Sequence, residues 1–178
     1  MYSSRDNNPF ALASDPPLQE SYDPRLDPAL AIEHPVLAAS LHHYRQLCAG
    51  REMPLWSDFA PKRMPPACLP HFLLMDVTAD EPRHFRWRLM GTHVLQTLKR
   101  DTTGRTFGEL YEGRVMDRMA VAPLWVIANR RPLRTRSSGS FNRPVFRPSE
   151  NLFLPFAGSS GAVTRILLVL VFDPLPQD

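Results

Sequence analysis

Cysteine is scarce in this chain. Its two cysteines, Cys48 and Cys68, stand twenty positions apart with no CxxC pair, which excludes a disulfide framework and a zinc knuckle and predicts two ordinary buried thiols. Long apolar runs are missing as well. The longest, Ile166 to Phe172, holds seven residues, against the roughly 20 that a membrane-crossing helix needs. The opening MYSSRDNNPF has no apolar core of the kind a secretory signal carries, so a cytoplasmic protein with no membrane partner is expected. The usual catalytic signatures are also absent. No GxGxxG, GxxxxGK, GxSxG or HExxH occurs, which removes the phosphate cradles, the nucleophile elbow and the metalloprotease helix behind those patterns.

Proline, by contrast, is in excess. Nineteen prolines in 178 residues are about twice the average share. Most lie before Pro70 or between Pro123 and Pro155, so those stretches are expected to be extended or turned. With 43% apolar and 22% charged residues, the rest of the composition is that of a globular protein, and the length suits one domain with an arm. The formal charge of +3 is unevenly laid out: residues 1–32 carry two Arg against five acids, whereas 83–147 carry fourteen Lys/Arg against four acids, a local excess of ten. A basic segment raises the question of nucleic acid. Here the arginines fall on separate predicted strands rather than one face, and no nucleic-acid partner is expected.

Residues 1–32, with DPP, YDP and LDP and no apolar stripe, read as a mobile arm. The domain is placed at 33–178 and opens with a helix over 35–49, because Pro35 suits a first helical turn and Leu37, Leu41, Tyr44 and Cys48 share one face. A proline-rich connection, EMPLWSDFAPKRMPPACLP, leads to the strand FLLMDV and the turn TADEPR. In HFRWRLM the residues alternate. Phe85, Trp87 and Leu89 take one face and His84, Arg86, Arg88 and Met90 the other, the period of a half-buried strand in a hairpin. Thr92 is placed as the cap of a short helix, HVLQTLK, before the turn DTTGRT and a further short helix at 107–111. A longer helix over 113–129 carries Val115, Met119, Ala122 and Val126 on one stripe, with Pro123 inside it. LRTRSSGSF, ENLFLPFA and TRILLVLVFD are the remaining strands. The last is apolar on both faces, so it belongs at the centre of a sheet covered on both sides.

The stretch LPHFLLMDVTADEPRHFRWRLMGTHVLQTLKRDTTGRTFGEL resembles the bacterial PAS-type sensory domains, with their leucine-proline strand start, RxxGT strand end and DxTGR turn. ENLFLPFAGSSGAVTRILLVLVFD resembles their closing hairpin. Together these pieces cover about 36–174. The resemblance implies an α+β, PAS-like fold: a five-stranded antiparallel sheet in the order 2-1-5-4-3, helices on one face, and an N-terminal helix. That order sets HFRWRLM and LRTRSSGSF at opposite edges. Lys99 departs from the pattern, which favours a small residue, often glycine, before Arg100-Asp101.

The resemblance also implies a small-molecule ligand between sheet and helices, its identity left open. Haem sensors of this kind present a histidine from the helix before the third strand, and 113–129 has none; covalent-flavin sensors carry an NCRFLQ-type cysteine, absent from the helices after the second strand. Neither group is expected. The candidate ligand-facing residues are Phe85, Trp87, Leu89, Met119, Val126 and Leu154, with His93 nearby, a lining suited to a planar or fatty guest. Leu37, Leu41 and Tyr44 are candidates for covering the outer sheet face or pairing with a second copy in a homodimer. Arg88 is a candidate for a carboxylate partner or anionic guest. No metal site is expected, since His42 and His43 diverge on the helix and His34 lies at its start. Nor is an enzyme, because no nucleophile, base and orienting group assemble. Two readings follow. The first is a stand-alone regulatory module without an output domain, which senses a small ligand and signals by protein association. The alternative is a ligand-free interaction or dimerisation module whose pocket is filled by its own side chains.

Overall fold

The run Ile166–Phe172 takes the position that a strand with two apolar faces requires, the middle of a sheet. The computed structural model describes residues 23–78, 81–137 and 148–174. Its strands are β1 (Pro24–Asp27), β2 (Phe72–Asp76), β3 (Arg86–Met90), β4 (Leu133–Ser137), β5 (Ser149–Ala157) and β6 (Val163–Phe172). They form one sheet in the order β1-β4-β5-β6-β2-β3, every neighbouring pair antiparallel. The five expected strands keep their expected order. A sixth joins them from the arm: β1 pairs with β4 from Pro24↔Ser137 to Asp27↔Arg134. LRTRSSGSF is therefore not an edge, and its residues beyond Ser137 lie outside the described ones, as do residues 1–22.

The helices are α1 (Pro35–Cys48), α2 (Thr92–Leu98), α3 (Phe107–Leu110) and α4 (Gly113–Asn129). Pro123 stays inside α4, and Thr92 is the first residue of α2 rather than its cap, that place being taken by Gly91. Helix α1 lies on the outer face. Its Leu37, Leu41 and Tyr44 are buried with Phe72, Leu152, Leu154, Phe156, Leu167 and Val169, and each such leucine contributes about 1.5 to 3 kcal/mol by leaving water. The Tyr44 hydroxyl donates to the Pro155 carbonyl at 2.8 Å. These three side chains are thus consumed within the chain, so the alternative of pairing with a second copy through them is not the arrangement found. The inner face carries the second core, in which α2, α3 and α4 bury Val94, Phe107, Met119 and Val126 against Met75, Trp87, Phe153 and Ile166.

Strand β3 departs from simple alternation. Leu73 pairs with Met90 and Leu74 with Leu89, but Met75 pairs with Trp87, so Arg88 is an extra residue in a bulge. A bulge reverses the faces beyond it. Trp87 and Met90 therefore point inward, 2% and 8% exposed, whereas Leu89 points outward at 47%. The free side of β3 is also closed. The DTTGR turn, held by the Thr103 N–H on Asp101 at 2.8 Å and by Gly104 at φ +84, lies along it. Gly104 donates to the Trp87 carbonyl at 2.6 Å, and the Trp87 N–H donates to Arg105 at 3.0 Å.

Gly91 joins two pieces of the sequence pattern. Its N–H donates to the Phe72 carbonyl at 2.6 Å, and a Cβ there would collide with the Pro70 carbonyl oxygen and lie 2.8 Å from that of Leu69. The leucine-proline start of β2 and the glycine at the end of β3 are thus one contact, which only a residue without a side chain permits.

Candidate functional site

Trp87 is the centre of the inner face. Its ring lies 5.4 Å from that of Phe107, which meets Phe85 at 5.6 Å and Tyr111 at 5.1 Å. Its indole N–H donates to the Tyr111 hydroxyl at 3.3 Å. Edge-on and tilted rings at these spacings are the favoured aromatic geometries. Tyr111 is buried, and burial pushes its hydroxyl above the usual phenol range, opposed by the Trp87 bond and the charge of Arg100.

Tyr111 also walls an open cleft of about 560 Å³, which lies between the 3₁₀ turn Pro82–His84 and the chain from α3 into α4. Glu81, Pro82, Arg83, Gly108, Glu112, Gly113, Met116 and Asp117 complete its lining. The volume is that of a small-molecule site. Helix α3 is set at its edge by a capping box: Glu109 accepts the Thr106 N–H at 2.7 Å, and the Thr106 hydroxyl accepts the Glu109 N–H at 3.3 Å. Gly108 allows the close approach of Arg83, which a Cβ would meet at 3.3 Å. Glu109 is held below the ordinary carboxylate range, first by that backbone bond and then by the Thr106 hydroxyl.

Of the residues expected to face a ligand, Phe85, Trp87, Met119 and Val126 share the inner core. Leu89 does not, because of the bulge. Leu154 belongs to the outer core beside α1, its neighbour Phe153 being the inward one; β5 is apolar on both faces, so its parity was not readable from the segment alone. His93 stands elsewhere, its ring 4.5 Å from that of His71 and 6.2 Å from Phe172. His71 is held below the usual imidazole range by burial, with the Leu170 carbonyl opposing and His93 and His34 adding. Arg88 has a carboxylate, but of its own chain: its Nε is 2.8 Å from Asp76, which also meets Arg165 at 2.8 Å. Among the described residues no group of three or more His, Cys, Asp or Glu could hold a metal. The cleft residues were missed because Glu81, Glu112 and Asp117 read as polar loop and helix-end positions; the one usable signal was T-x-x-E before the short helix.

The basic segment is divided. Arg86 on β3 and Arg134 on β4 are separated by three strands, and Arg105, Arg130, Arg134 and Arg136 each meet a carboxylate. No helix among the described residues is long and apolar enough to cross a membrane.

A family model described as PAS domain matches residues 32–171. The chain belongs to the PAS domain family. Its PAS core accordingly includes α1 and all strands but β1. Eight chains among solved structures also match. One is described as "Structure of an RNA-binding Light-Oxygen-Voltage Receptor", at 18% identity and a TM-score of 0.41, covering 64% of this chain and 35% of that one. The PAS chain thus spans about a third of that structure's length. No curated protein matches.

Proposed function

We propose that this PAS domain is a sensory or regulatory module whose ligand enters the cleft walled by Tyr111 and whose output is association with another protein chain. The observation that carries this reading is the Trp87–Tyr111 bond: one side chain lines an open cavity of ligand size and is tied to the central indole of the sheet. A guest that shifts Tyr111 must act on Trp87, and Trp87 is bonded through its backbone to the DTTGR turn, so occupancy is transmitted to the outer edge of the sheet. A ligand acts in this way only through differential contact with two states. The competing reading, an interaction module with no guest, is favoured by the closure of Phe85, Phe107 and Trp87 around one another.

Native mass spectrometry of the purified protein separates the two. A retained small molecule, lost on denaturation, is the expected result. An empty chain whose partner binding is unaffected by Tyr111→Ala would favour the interaction module instead.

A further inference from the structure

Eight of the described carboxylates form ion pairs with arginines. Glu81, Glu112 and Asp117 do not. All three are exposed, none of them meets a cationic side chain among the described residues, and all three line the cleft walled by Tyr111. Arg83 is the one cation of that lining. In a chain whose formal charge is +3, the cleft is therefore a local excess of negative charge, which concentrates cations from solution.

The three carboxylates come from different elements. Glu81 precedes the 3₁₀ turn Pro82–His84, and one of its oxygens accepts the Arg83 N–H at 3.3 Å, which leaves the other for a guest. Glu112 directly precedes α4, and Asp117 lies in the second turn of that helix. They border one cavity without converging on a point, since no three such groups among the described residues stand close enough to hold a metal ion. That spread suits a longer cation with charges at separated positions. Between the acids, Tyr111 and Met116 complete the wall, an aromatic ring that attracts cations and a thioether that packs on methylene groups. The open volume of about 560 Å³ admits such a chain.

We infer that the guest is an aliphatic polyamine, its ammonium groups donating to Glu81, Glu112 and Asp117 and its methylenes lying along Tyr111 and Met116, a reading that rests on the ligand-sensing function proposed above. An ammonium group has donors only, and its bonds to carboxylates are charge-assisted. The positive charge of the whole chain repels a diffuse polycation, so binding depends on this cleft. Contact with Tyr111 reaches the indole of Trp87 through their shared hydrogen bond.

The test uses the full chain with Trp56 and Trp125 changed to Phe, so that emission reports Trp87. Putrescine and spermidine are compared at matched ionic strength with butylamine, with diacetylputrescine, which keeps the methylene chain but loses both charges, and with magnesium chloride. At least one polyamine is expected to raise Tm and shift Trp87 emission at or below about 1 mM, and butylamine and diacetylputrescine to bind at least about tenfold more weakly. Glu112→Gln and Asp117→Asn should each weaken the polyamine about three- to tenfold, whereas Asp23→Asn, which removes one acid outside the cleft, should leave its affinity unchanged. Equal binding of putrescine and diacetylputrescine, an equal response to magnesium, or an affinity unchanged in the Glu112→Gln/Asp117→Asn double variant overturns the polyamine assignment and leaves ligand sensing standing. No response to either polyamine, with a guest retained in native mass spectrometry, has the same meaning. No response with an empty chain overturns both. Should the double variant fail to fold, the single variants and the comparison of amines on the parent protein decide.

Discussion

Arg134 donates from Nε to Glu150 at 2.7 Å, and the same carboxylate accepts the backbone N–H groups of Glu33 and His34 at 2.9 and 3.0 Å. One buried ion pair thus ties β4 to β5 and caps the start of α1. Because Arg134 also reaches Asp27 at 3.1 Å and Glu33 at 2.7 Å, it fastens β1 as well. Burial alone would raise Glu150, but the Glu33 N–H and Arg134 outweigh it and hold the carboxyl below its ordinary range. At Asp27 burial is likewise outweighed, here by the Ala31 N–H and Arg134.

A carboxylate held low contributes stability that is complete above its unfolded value, about 4, and is lost as pH falls through the folded value. The urea midpoint should therefore fall below about pH 4 as these carboxylates protonate, after a shallower decline from about pH 6.5 that comes from His71, whose buried imidazole takes a proton less readily in the folded chain than in the unfolded one. Glu150→Gln should cost about 2 to 3 kcal/mol at neutral pH and flatten the acid limb. An unchanged acid limb in that variant would show that the ion pair is not the group titrating.

Gly91→Ala introduces a methyl group where the Pro70 carbonyl stands. Backbone cannot move aside as a flexible side chain can, so a loss of about 2 to 4 kcal/mol is expected. Chemical denaturation measures it; a variant within about 0.5 kcal/mol of the parent would mean that the two segments separate without cost.

Lys99 closes α2 at φ +50. That explains why glycine suits the position: a Cβ in the left-handed region costs about 1 to 2 kcal/mol, partly offset by the extra entropy glycine loses on folding. Lys99→Gly should stabilise the protein by about 0.5 kcal/mol. A lowered Tm would show that the lysine side chain makes a contact worth more than the strain.

The bulge at Arg88 is tested by the two residues after it. Met90→Ala should cost about 2 to 4 kcal/mol, because it empties space in the inner core, whereas Leu89→Ser should change stability by less than about 0.5 kcal/mol. The reverse ranking, read by thermal unfolding, would restore plain alternation along β3.

Much of this architecture was determined by local pattern. The apolar stripe Leu37–Leu41–Tyr44, the alternation around Phe85 and Trp87, the two-faced final strand and the glycine turns specify helix, hairpin and central strand before any packing is known, because side-chain periodicity is a local property. Phe85, Trp87, Met119 and Val126 were legible as inner-face residues for the same reason. Tertiary structure alone decided the rest. One extra residue at Arg88 reversed Leu89 and Met90, since bulge position depends on the partner strand; Leu154 turned outward because β5 is apolar on both faces and its parity follows from β4 and β6. The sixth strand exists because Arg134 meets Asp27, Glu33 and Glu150, residues spread from 27 to 150. The cleft is of the same kind. Its walls come from a hairpin turn, a short helix and the start of a long one, and no periodicity in any of them records that they meet.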